Sequence, residues 1–188
     1  MTDTLKILVF VILTGLWLSE FIFFPSPKKE SLAGKKSFYL VLAGILVSIL
    51  FSIIMFLTET ALITGRNGAL LRGVSLVLYA FGVFLRYWSS RLLGEDFSRS
   101  IAVRRDQDLV SRGPYRVLRH PLYTALMIMV VSVSLFLQSI PGIVFALVVM
   151  TAVLGVRIKE EERIMEEHLG ERYIRWKEKR QLLIPFVI

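Results

Sequence analysis

The feature that most constrains this chain is the length of its apolar runs. An α-helix rising about 1.5 Å per residue needs about twenty apolar residues to cross a bilayer. Residues 5–24 (LKILVFVILTGLWLSEFIFF), 38–58 (FYLVLAGILVSILFSIIMFLT) and 69–88 (ALLRGVSLVLYAFGVFLRYW) meet that length. Residues 122–156 are too long for one straight span, and SIPG at 139–142 breaks them near the middle. They read as two shorter helices in a tight hairpin, 122–138 and 141–156. Glu20 falls near one end of its run, and Arg72 and Arg86 fall near the ends of theirs, where arginine can snorkel to the surface. The reading is all-α: an integral, multi-pass membrane protein of about five transmembrane helices, forming a single membrane domain over 1–188.

Composition agrees. The chain is 55% hydrophobic with a mean hydropathy of +0.64, against about 45–50% apolar for a soluble domain. The formal charge of +8 raises nucleic acid as a partner, but the basic residues alternate with apolar spans. Attraction to an anionic lipid leaflet explains them more simply, so the bilayer is the expected partner and nucleic acid is not. With no cysteine there is no disulfide framework, thiolate metal site or thiol nucleophile. His120 and His168 are too few for a zinc site, and no metal is expected. The first run ends in FIFFPSP without a small-residue cleavage site and reads as a retained helix.

Charge asymmetry orients the spans. With the N-terminus outside, the cytoplasmic pieces are 25–37, 89–121 and the tail from 157. These carry Lys28, Lys29, Lys35 and Lys36, then Arg91, Arg99, Arg104, Arg105, Arg112, Arg116 and Arg119, then a Lys/Arg-rich tail. The outer pieces hold only Lys6, Arg66 and Arg72. Five spans, N-out and C-in, is the consistent topology, and it puts the chemistry of 89–121 and 157–188 at the cytoplasmic face.

The tail reads as a helix from Arg157 to about Arg180. At 100° per residue, Ile158, Met165, Leu169, Tyr173 and Trp176 share one stripe, with Glu162 inside it and Glu161 at its edge beside Arg157 and His168. A carboxylate on an apolar face needs a partner, yet acidic runs on amphipathic helices are more often solvated. Periodicity leaves Glu162 evenly balanced between the two readings and assigns Glu166 and Glu167 to the solvated face. Arg157 is either snorkelling or placed to reach a carboxylate. In LVSRGPYRVLRHPLYTA (109–125), GPY is a turn and Pro121 suits the first turn of a helix. His120 sits in a polar cluster with Arg119, and geometry alone describes this as a ligand-binding loop.

The segment LVSRGPYRVLRHPLY resembles the cofactor-binding signature of the isoprenylcysteine carboxyl methyltransferase family, G-x-Y, a spacer, then R-H-P-x-Y. The family's later R-x-x-x-E-E and L-G-x-x-Y elements are matched by Arg157, Glu161, Glu162, Leu169, Gly170 and Tyr173, followed by Arg180 and Pro185. LGEDFS at 93–98 resembles an element ahead of the signature. One departure is Ala125, where the family often has glycine, which should loosen helix packing slightly. The resemblance implies that S-adenosylmethionine binds in a pocket formed by 91–125 and 157–185. Leu109, Val110 and Tyr115 would line the adenosine region, and His120 and Tyr123 would bond polar parts of the cofactor. Glu161 or Glu162 would meet its ribose or amino acid end. Arg157, and secondarily Arg119, would orient an acceptor carboxylate, with Glu162 beside them in the active centre. The acceptor would be a lipophilic small molecule or prenylated substrate, most simply an isoprenylcysteine carboxylate. A phospholipid or other lipid methyltransferase, an NADPH-dependent membrane reductase on a related scaffold, and a non-catalytic membrane scaffold are the rival readings.

Overall fold

The computed structural model describes residues 2–24, 35–94 and 108–183. Six α-helices follow in order: α1 (Asp3–Phe23), α2 (Lys35–Leu57), α3 (Gly65–Leu93), α4 (Pro121–Phe136), α5 (Ile140–Leu169) and α6 (Glu171–Lys177). A 3-10 turn, Gly113–Arg116, precedes α4. Among the described residues there is no β-strand, only the isolated bridges Leu62–Ser139 and Leu118–Gln181. α1, α2, α3 and α5 are each long and apolar enough to cross a membrane, whereas α4, at 16 residues, is shorter. Most of LGEDFS, the loop lysines Lys28 and Lys29, and Pro185 lie outside the described residues.

α4 is the central helix. It packs against α3 on one side and α5 on another, and α2 covers α5. The core gathers Tyr79 and Val83 from α3, Met129 and Val130 from α4, and Met150 and Leu154 from α5. Outward side chains such as Leu8, Val11, Leu46, Val77 and Val148 are exposed, as lipid-facing residues are. The α4–α5 break falls where Pro141 and Gly142 announce it. Gln138 takes φ +61°, and the Ser139 hydroxyl accepts from the Gly142 N–H at 3.1 Å to cap α5.

Three sequence expectations need correction. The tail is not one helix from Arg157 to Arg180. α5 runs unbroken from the apolar stretch through Glu162 to Leu169, then the chain turns at Gly170 (φ 53°, ψ −134°). That backbone conformation favours glycine, and it lets α6 fold back beside α5. Second, Arg86 does not snorkel. Glu20 is fully buried and bonds the Arg86 guanidinium through both carboxylate oxygens. Third, Ala125 does not loosen the packing. It is fully buried, and the close approach comes from α3 at Gly82. A Cβ there would stand 2.7 Å from Met129 Cγ and 3.2 Å from the Ala125 carbonyl.

Candidate active site

The two segments singled out in the sequence meet at the end of the bundle where α4 begins and the apolar part of α5 stops. Pro121 fixes the entry into α4, and His120 occupies the N-cap position. The backbone of Val117–His120 runs beside the tail. Arg119 N donates to Gln181 O at 2.8 Å, Gln181 N to Val117 O at 2.9 Å, and His120 N to Leu182 O at 3.3 Å. Thr124 Oγ1 donates to Leu183 O at 2.6 Å.

Side chains of α6 and its exit complete this frame. Trp176 Nε1 donates to the Val110 carbonyl at 3.1 Å. Arg180 Nε donates to the Tyr115 carbonyl at 2.6 Å while its guanidinium lies 4.3 Å from the Trp176 ring, a cation–π stack. Arg119 Nε donates to the carbonyls of Lys177 at 3.0 Å and Arg180 at 2.9 Å. Those carbonyls sit where α6 ends, and the Lys177 oxygen also accepts from Arg180 N at 3.1 Å. Arg119 is therefore a clamp on the tail.

Inside the frame lies a buried polar cluster. Residues four apart on a helix lie one above the other, so Arg157 and Glu161 face the same way, toward Tyr123. The Tyr123 hydroxyl donates to Glu161 and accepts from Arg157 Nε at 3.0 Å. Arg157 is only 4% exposed and also donates from NH1 to Ser37 Oγ of α2 at 2.7 Å. Glu162, one step further round α5, faces His120 and Lys177. His120 Nε2 lies 3.2 Å from Glu162 Oε1. A carboxylate only accepts, so that ring nitrogen carries the proton. Arg119 NH1 lies 3.4 Å from Glu162 Oε1, and Lys177 Nζ lies 3.7 Å from Oε2. The rings of His120 and Tyr123 stack at 5.5 Å.

The electrostatics follow. Burial raises the Glu162 pKa, but the His120 hydrogen bond and the charges of His120, Arg119 and Lys177 outweigh it, so the carboxyl sits below its ordinary value. Burial pushes the Tyr115 phenol up; Glu161 and Tyr123 add to this, and Arg86 opposes it. Tyr173 is raised by burial, with Glu162 and Glu161 adding to it. Both phenols therefore stay protonated at neutral pH.

The candidates named from the sequence thus separate by position. Tyr123, Arg157, Glu161, Glu162 and His120 form one connected cluster. Tyr115 is buried beside it, and Leu109 and Val110 are half-buried on the rim, tied in through Trp176. Glu167 is on the exposed face, paired with Arg163 at 2.8 Å. Glu166, assigned to the same face, instead reaches Lys177 across the Gly170 turn. Ser37 and Lys177 were missed. Ser37 had no signal in its own surroundings, because its partner lies 120 residues away.

The comparison with known proteins fits this geometry. The sequence model of the phospholipid methyltransferase family matches residues 71–172, more than half of the chain. The matched region spans most of α3, all of α4 and α5, and the start of α6, so the chain belongs to that family and is a membrane methyltransferase. It is similar to protein-S-isoprenylcysteine O-methyltransferase B of Arabidopsis thaliana, 26% identical over 185 residues and 93% of each chain. The A form from the same plant is 27% identical over 145 residues, 75% of this chain and 73% of that one. The Saccharomyces cerevisiae protein-S-isoprenylcysteine O-methyltransferase is 27% identical over 113 residues, 59% of this chain and 47% of the yeast one.

Proposed function

We propose that this protein transfers a methyl group from S-adenosylmethionine to a lipophilic acceptor carboxylate, such as that of an isoprenylcysteine, with the His120–Glu162 end facing the cytoplasm. The convergence of Tyr123, His120, Glu161 and Glu162 from two segments about forty residues apart carries the reading. The donor set suits the cofactor. Two carboxylates can meet an ammonium, a sulfonium or a ribose diol, and Tyr115 and Trp176 flank the loop where a purine can pack. When bound, S-adenosylmethionine supplies a methyl group on an electrophilic sulfonium.

The chain's own residues then have simple tasks. A carboxylate acceptor is already a nucleophile at neutral pH, so no base is needed, and rate comes from orientation. Arg157, at the boundary between the apolar part of α5 and the polar cluster, orients the acceptor carboxylate; a guanidinium matches it in shape and charge. Glu161, His120 and Tyr123 hold the cofactor, Glu162 fixes His120, and Arg119 keeps α6 closed over the loop. The relatives named for isoprenylcysteine methylation favour a carboxylate over a phospholipid amine.

Calorimetric titration of the detergent-purified protein tests this, with S-adenosylhomocysteine and NADPH in parallel and Glu162→Gln as control. Saturable S-adenosylhomocysteine binding that weakens in the variant supports the reading. NADPH binding alone would replace it with a reductase. A farnesylated cysteine analogue and a phosphatidylethanolamine, offered with labelled donor, then separate the two acceptor classes.

A further inference from the structure

The buried Glu20–Arg86 pair belongs to none of the roles assigned above. Glu20 is fully buried on α1 and the Arg86 side chain is 14% exposed on α3. The carboxylate takes both Nε and NH2 of Arg86, the latter at 2.9 Å. The remaining nitrogen, NH1, donates to the Leu122 carbonyl at 3.3 Å. Leu122 lies between Pro121 and Tyr123, in the first turn of α4 and two residues from His120.

An ion pair at this depth needs a reason. Taking two charges out of water costs several kcal/mol per ion, and the pair contributes little net stability over an apolar one. Ionisable residues inside spans usually mark function. Docking of α1 does not require it, because neutral contacts already join α1 to α3. Thr14 bonds the Tyr79 hydroxyl at 3.1 Å and Ser19 bonds the Tyr87 hydroxyl at 2.7 Å. The distinguishing feature of the pair is its third contact, on α4. Two-point binding by Glu20 fixes the plane of the guanidinium, and that plane aims NH1 at Leu122.

We propose that Glu20 and Arg86 are positioning residues for the cofactor site. They hold the first turn of α4 from the α3 side, as Arg157 holds Tyr123 from the α5 side. The inference rests on the cofactor reading above. Without the pair, the turn that carries His120 and Tyr123 loses its hold from the α3 side, and cofactor affinity falls although neither residue touches the cofactor.

The experiment measures S-adenosylhomocysteine affinity of the detergent-purified protein, well below its melting temperature. The variants are Glu20→Gln, Arg86→Gln, the double variant, and Thr14→Val as a control on the same α1–α3 interface. Because the two groups act in one network, each single variant should bind about tenfold more weakly. The double variant should be no worse than either single one, while Thr14→Val lowers the melting temperature and leaves affinity unchanged. The double variant also serves if a single variant fails to fold, since it leaves no lone buried charge. Unchanged affinity in the charge variants, or an equal loss in Thr14→Val, would overturn the proposal. Absence of binding by the unaltered protein would instead sink the cofactor reading itself.

Discussion

The α1–α3 interface and the α4–α5 interface join helices by different means. α1 reaches α3 through a ladder of polar rungs: Asp3 with Arg72 at 3.6 Å, Lys6 with the Ala69 carbonyl at 3.2 Å, then Thr14–Tyr79, Ser19–Tyr87 and Glu20–Arg86. Only a few apolar groups, Phe10, Leu13 and Trp17, reach the core from α1. α4 and α5 instead mesh fully buried residues such as Met129, Val130, Ala146 and Met150, and the hydrogen bonds that tie them to each other gather at the end that holds His120, Tyr123, Arg157 and Glu161. Lipid tails are as apolar as leucine, so burying leucine against a neighbour drives little association in a membrane. Close packing and hydrogen bonds remain as glue. α4–α5 uses the first along its length and reserves the second for the site. α1–α3 relies on the second throughout.

Perturbations at the two interfaces should therefore differ in kind. Arg157→Ala, at the polar end of α4–α5, should have the largest effect. It leaves the Tyr123 hydroxyl and the half-buried Glu161 without their neighbouring cation. Methyl transfer should fall on the order of 100-fold, read by transfer of label to a farnesylated cysteine analogue. Retained activity would remove Arg157 from the acceptor site. Gly82→Val comes next. It forces a side chain into the α3–α4 contact against Met129 and should destabilise by about 1–3 kcal/mol, measured as a lower melting temperature in detergent; an unchanged melt would mean α3 can retreat without penalty.

Glu162 gives a smaller, pH-dependent effect. Its folded pKa is depressed by His120, Arg119 and Lys177 against the opposing push of burial. The unfolded chain therefore takes up the proton first. The contribution to stability is complete above the ordinary carboxylate range and is lost as pH falls through the folded value. Melting temperature followed from neutral to acid pH should decline more steeply in the unaltered protein than in Glu162→Gln. Parallel curves would show that Glu162 is not held this way. Ser19→Ala, one neutral rung, should cost least, about 0.6 kcal/mol, and should leave S-adenosylhomocysteine affinity untouched.

How much of this was legible depended on the range of each interaction. The helices were readable because apolar length is a local property, and Pro121 and the SIPG break are local as well. The cluster was readable in part: Glu161 and Arg157 share a face by helical arithmetic, and the resemblance supplied His120 and Tyr123. The Gly170 turn was hidden because the apolar stripe continues through it, with Leu169, Tyr173 and Trp176 keeping helical spacing. Arg119 was legible as a basic residue near the site, but its work as a clamp depends on carbonyls 58 and 61 residues away.

By itself the sequence determined that the chain spans a membrane as helices, where its apolar stretches and the break at 139–142 fall, and which residues crowd the polar end. Hydropathy, proline and glycine act over a few residues, and the bilayer enforces them by denying the backbone any other partner. Only the tertiary structure decided which charges meet. Glu20 found Arg86, Ser37 found Arg157 and Glu162 found His120 across 66, 120 and 42 positions. A buried charge needs a partner, but which one it takes is set by how the helices stack, and no periodicity in the chain records that.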